Sequence, residues 1–72
     1  MSDLVLLAST YDPLEAAIWR QALEEEGIPV WVRQDDPLGP LGVHHLTPRY
    51  DLYVLASHLA QGRLILALSR QE

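Results

Sequence analysis

At 72 residues the chain has room for one domain, and no cysteine is present to staple it. So short a chain buries roughly 60% of its unfolded surface, and with disulfides and thiolate metal sites excluded, self-association is the expected support for its thin core. The net charge is −5, with no lysine and five scattered arginines (Arg20, Arg33, Arg49, Arg63, Arg70); a nucleic-acid binder needs a basic stripe, so nucleic acid is not an expected partner.

The N-terminus has no basic segment leading into an apolar one, and no apolar run approaches the length of a membrane span. The expectation is a soluble cytoplasmic protein without a membrane partner. Residues 4–8, LVLLA, read as strand one, and the lack of alternation predicts burial on both faces. Asp12-Pro13-Leu14-Glu15 then opens a helix: Asp12 caps, Pro13 suits the first helical position, and Glu15 falls where a capping box places it. Gly27 ends this helix. Its apolar residues form two stripes, Ala16/Trp19/Leu23 and Leu14/Ile18/Ala22, on nearly opposite sides, where packing on one sheet needs a single stripe.

Ile28, Val30 and Val32 alternate with Pro29, Trp31 and Arg33, which predicts strand two with Trp31 on the opposite face. Leu52 and Val54 alternate with Tyr53 and Leu55 in strand three. Ser57 is the expected cap of a second helix reaching Ser69, with Leu59, Gly62, Ile65 and Leu66 inward and Leu64 and Leu68 outward. Gly62 costs about 1 kcal/mol relative to alanine inside a helix, and close approach to the sheet would be a reason for it.

The order βαββα, a right-handed crossover and a hairpin between strands two and three predict an α+β sandwich with sheet order 1-3-2 and both helices on one face. This is a truncated ferredoxin-like domain spanning 1–72, with a long loop, 34–49, between strands two and three. Strand one is then a bare edge. The helix-free face carries Trp31 and Tyr53, an exposed apolar patch of the kind that marks an interface.

The stretch LASTYDPLEAAIWRQALEEEGIPVWVR resembles the opening of a family of small bacterial proteins described as signal-transducing, with no established activity. The matching features fall on Tyr11, Asp12, Pro13, Glu15, Ala16, Leu23, Glu24, Gly27, Ile28, Pro29 and Arg33, and LYVLASHLAQGRLIL is similar to the family's strand and second helix. Family members begin that helix with acidic residues, where this chain has Ala56-Ser57-His58. The resemblance implies a fold related to PII-type regulators, which are oligomeric and contact partners through the loop after strand two. No phosphate-binding segment accompanies it, so nucleotide sensing is not implied.

The segment 34–48, QDDPLGPLGVHHLTP, is long enough to expect a role, and Leu38, Leu41, Val43 and Leu46 make it too apolar for a disordered linker. His44, His45 and His58 with Asp35 and Asp36 raise the possibility of a metal, but adjacent histidines point apart and no helical His pair exists. The aspartates are explained by the turn before Pro37. Glu24-Glu25-Glu26 reads as a solvated face with Arg20 reaching Glu24. The Thr10–Pro13 corner reads as a cap rather than an anion site, because Asp12 occupies the free amides. No serine has a nucleophile motif. The leading expectation is a non-catalytic, oligomeric interaction or regulatory module without cofactor or metal, contacting an unidentified protein through 34–48. Its contact candidates are Trp31, Tyr53, Leu38, Leu41, Val43, Leu64 and Leu68. The alternatives are a small-ligand or metal-binding protein using the loop histidines, and a small dimeric ferredoxin-like enzyme with a closed pocket beneath Trp31 and Tyr53.

Overall fold

A computed structural model of the chain describes residues 3–35 and 48–69. Strand β1 spans Leu4–Thr10, helix α1 Pro13–Glu25, β2 Trp31–Asp35, β3 Arg49–Leu55 and helix α2 Leu59–Ser69, with a 3-10 turn at Ala56–His58 before α2. The three strands form one antiparallel sheet in the order β1-β3-β2, the expected α+β topology. Both helices pack against the sheet and each other, around a core of Ala16, Trp19, Leu23, Ile28, Leu52, Val54 and Leu66.

The ends of α1 follow from its sequence. Asp12 Oδ1 accepts the Leu14 N–H at 2.9 Å, as an N-cap should. Glu15 does not return to the Asp12 amide as in a simple capping box. Thr10 is interposed: its hydroxyl accepts the Asp12 N–H at 3.1 Å and donates to Glu15 Oε1 at 2.6 Å. At the other end Gly27 adopts φ +79°. Its N–H reaches the Glu24 carbonyl and that of Ile28 the Leu23 carbonyl, each at 3.0 Å. Those two bonds make a Schellman motif, and Leu23 and Ile28, both buried, supply its apolar contact. Chain direction into β2 is therefore set before the strand begins. Ile28 and Val30 face the core just ahead of the hydrogen-bonded strand, which starts at Trp31, later than the alternation implied.

A 3-10 turn precedes the second helix: Ser57 lies within it, and its N-cap is Leu55, whose side chain makes no capping bond. Extended Leu55 runs directly into that turn. The inward face of α2 is the expected one, with Gly62 and Leu66 buried and Leu59 and Ile65 packed on the core. A β-carbon on Gly62 would lie 3.1 Å from Leu7 Cδ2 and 3.3 Å from Cδ1. The glycine lets α2 settle onto β1.

Strand β1 is not buried on both faces. Leu4 and Leu6 are 48% and 51% exposed, while Val5, Leu7 and Ala8 pack against the core. The non-alternating run LVLLA has another origin. The register passes from Leu6 opposite Tyr53 to Ala8 opposite Leu52, so Leu7 sits in a bulge and two consecutive residues face inward.

Candidate functional site

With both helices on one side, no described element covers the other face of the sheet, and register determines what this open face presents. Leu4 lies opposite Leu55; Leu6, Tyr53 and Trp31 form the next row across all three strands; Ser9, Asp51 and Arg33 form the row after; Arg49 and Asp35 close it. One half of the face is therefore apolar and aromatic, the other ionic.

In the apolar half Trp31 is 46% exposed, Tyr53 and Leu55 are half-buried, and Leu4 and Leu6 stand out to solvent. Trp31 and Tyr53 are directly paired across the strands, as their alternation predicted. The ionic half was not anticipated. Asp51 is only 4% exposed although no helix covers it. Its Oδ1 accepts from the Ser9 hydroxyl at 2.7 Å and from Arg49 Nε at 3.0 Å, and Arg33 lies opposite on β2. The Ser9 hydrogen bond is the main reason its pKa falls below the ordinary 3.8; partial desolvation opposes it, and the charges of Arg49 and Arg33 add to it. Hydrogen bonds to the ionised form thus outweigh desolvation at Asp51. Arg49 and Asp51 share a face with Tyr53 at period two. Extending that alternation two residues earlier would have found the cluster, and an aspartate mid-strand is itself a departure from strand preference.

The other sequence candidates are dispersed. Leu64 and Leu68 are both 61% exposed on the outer face of α2, and Leu14 and Ile18 are exposed on α1 at 67% and 49%. Arg20 Nε meets Glu24 at 3.2 Å and Gln21 meets Glu25 at 3.2 Å, as for a solvated helical face. Leu38, Leu41, Val43, Leu46, His44 and His45 lie outside the described residues. Among the described residues no three His, Cys, Asp or Glu side chains converge as a metal site, and His58 Nδ1 is buried without a hydrogen-bond partner.

A depression of about 170 Å³ lies between Pro13, Ala16, Ala17 and Arg20 of α1 and Val32 and Tyr50 of the sheet. It is smaller than the roughly 300–1,000 Å³ of small-molecule sites. It also lies on the helical side of the sheet, away from Trp31 and Tyr53, where a barrel-type enzyme would place its cavity. Among the described residues, the open sheet face is half apolar and half ionic. No described helix is long and apolar enough to cross a membrane. No family model matches the chain, and no curated protein or solved structure matches it significantly.

Proposed function

We propose that this chain is a non-catalytic, self-associating interaction module of the cytoplasm, acting as a regulatory element of the signal-transducing kind its first half resembles. The observation that carries the reading is the open sheet face, on which Leu4, Leu6 and Trp31 are each about half exposed in adjacent register positions. Large contiguous apolar patches on soluble chains belong to interfaces. The core supports the same reading. Four side chains of this small domain, Leu23, Ile28, Leu52 and Val54, are the largest that are fully buried, and association supplies what so thin a core lacks.

The segment 34–48, whose first two residues belong to β2, carries four aliphatic residues and is the proposed contact for a different protein, and the exposed Leu64/Leu68 pair is a second candidate. Flat surfaces with paired charges favour binding over chemistry. Asp51 is held ionised by Ser9 and two arginines, which makes it a poor proton donor or acceptor near neutrality. Sedimentation velocity over a concentration series from low to high micromolar tests the reading. A mass above that of the 8.1 kDa chain, rising with concentration, is expected. A monomer throughout that range would remove the self-association on which the proposal stands.

A further inference from the structure

We infer that the open sheet face is the seat of a second copy of this chain, docked face to face, leaving the exposed leucines of the helices outside that contact. The inference rests on the self-association proposed above and assigns its surface.

Charge is the first argument. Arg33 and Arg49 stand on this face with Asp51. The face therefore carries no excess of negative charge, and the acidity behind the net −5 lies elsewhere on the chain. Helix α1 and its cap carry Asp12, Glu15, Glu24 and Glu25, with Glu26 just beyond. Two copies meeting through α1 would bring like charges together. Through the sheet that acidic repulsion is avoided, and each copy brings both signs to a contact that must match itself.

Composition is the second argument. Contact surfaces are enriched in Trp, Tyr and Arg, the residues that dominate binding energy when buried centrally. The open face holds Trp31, Tyr53, Arg33 and Arg49 around Leu4 and Leu6. The rival apolar surface, on α2, offers Leu64 and Leu68 one turn apart with Arg63 beside them.

Size sets the affinity class. Strands of seven, five and seven residues give a face about 24 Å long and about 14 Å wide, a projected area of roughly 340 Å² per copy. For two copies that is roughly 680 Å², below the roughly 1,200 Å² of stable specific interfaces, so the dimer is a weak, reversible one. An aromatic pair with arginines would also suit a stacked base, but two arginines beside Asp51 on a chain of net charge −5 give a polyanion little electrostatic gain.

Four proteins decide the matter, each checked for folding by circular dichroism: wild type, Leu6→Glu, Trp31→Glu, and the double variant Leu64→Glu/Leu68→Glu. Leu6 and Trp31 are about half exposed in the single chain, so glutamate is tolerated there unless another surface covers it. Sedimentation should show the dissociation constant rising about tenfold or more in each sheet-face variant and unchanged in the helix variant. Wild-type dimerisation should hold or tighten as salt rises, because screening relieves the net repulsion. Trp19 is 5% exposed and Trp31 46%, so a blue shift of emission with concentration would come from Trp31. If the helix variant alone dissociates the dimer, self-association survives and this assignment falls. If the wild type is monomeric throughout, both fall. Sheet-face variants that dimerise like wild type overturn the assignment, as does nucleic acid that copurifies with wild type and is lost in Trp31→Glu.

Discussion

Replacing Asp51 with alanine removes the carboxylate that bonds Ser9 of β1 and Arg49 of β3 on the open face. The loss includes the 2.7 Å bond from Ser9 and the 3.0 Å contact from Arg49, whose side chain is 43% exposed. A hydrogen bond to a charged acceptor contributes about 1.5 kcal/mol or slightly more, and an ion pair so open to solvent about 0.5 kcal/mol. The sum is a destabilisation of about 2 kcal/mol near neutral pH, about half of which Asp51→Asn retains by still accepting from Ser9. The sign of the pH dependence follows from the lowered pKa. The folded state binds the Asp51 proton less tightly than the unfolded state, whose value is the ordinary 3.8. The stabilisation is therefore complete above that ordinary value and is lost as pH falls through it toward the folded one. Urea unfolding followed by circular dichroism, at protein concentrations below dimerisation, measures the gap between wild type and Asp51→Asn. The gap should be constant from neutrality down to mildly acidic pH and shrink below about pH 4. A gap that persists unchanged into strong acid, or none at neutrality, would refute the role given to the carboxylate.

Gly27→Ala meets no atom within 4 Å but must hold φ +79°, so it should cost about 1 kcal/mol in chemical denaturation from backbone strain alone. Asp12→Ala removes the bond to the Leu14 amide and should cost about 1 kcal/mol, read as a lowered thermal midpoint. Gly62→Ala should lie within about 0.5 kcal/mol of wild type, because a gain in helix propensity offsets crowding against Leu7. Gly62→Leu should cost about 2 kcal/mol by overpacking, and equal midpoints for the two variants would contradict the close approach of α2 to β1. On the proposed dimer the wild-type thermal midpoint should rise with protein concentration, and that rise should vanish in Trp31→Glu.

The first half of the fold was legible because its signals are local. Asp12, Pro13 and Gly27 act on their nearest neighbours, and the alternation about Trp31 needs only period two. Three features were not legible from spacing rules. The strand runs straight into a 3-10 turn ahead of α2, and that helix fits over Leu7 through Gly62. Glu15 sits at capping-box spacing, but Thr10, buried at the end of β1, inserts its hydroxyl between Glu15 and the Asp12 amide. The Ser9–Asp51 bond spans 42 residues, and no spacing rule reaches that far.

Strand β1 joins these points. In Leu4-Val5-Leu6-Leu7-Ala8 every side chain is apolar, so hydrophobicity alone does not decide which face turns inward, and a slip of one residue would cost little in burial. The choice is made beyond the run. Ser9 must face outward to reach Asp51, and Thr10 inward to reach Glu15, so these two polar residues fix the parity of the strand. The bulge at Leu7 then lets Leu7 and Ala8 both turn inward while Leu4 and Leu6 remain outward. The apolar row beside Trp31 is thus presented by polar bonds that would be made only in this register. A sheet meant to bury one face alone would have polar residues at positions 4 and 6. Leucine there, held outward by the register, is what the proposed contact between copies would cover.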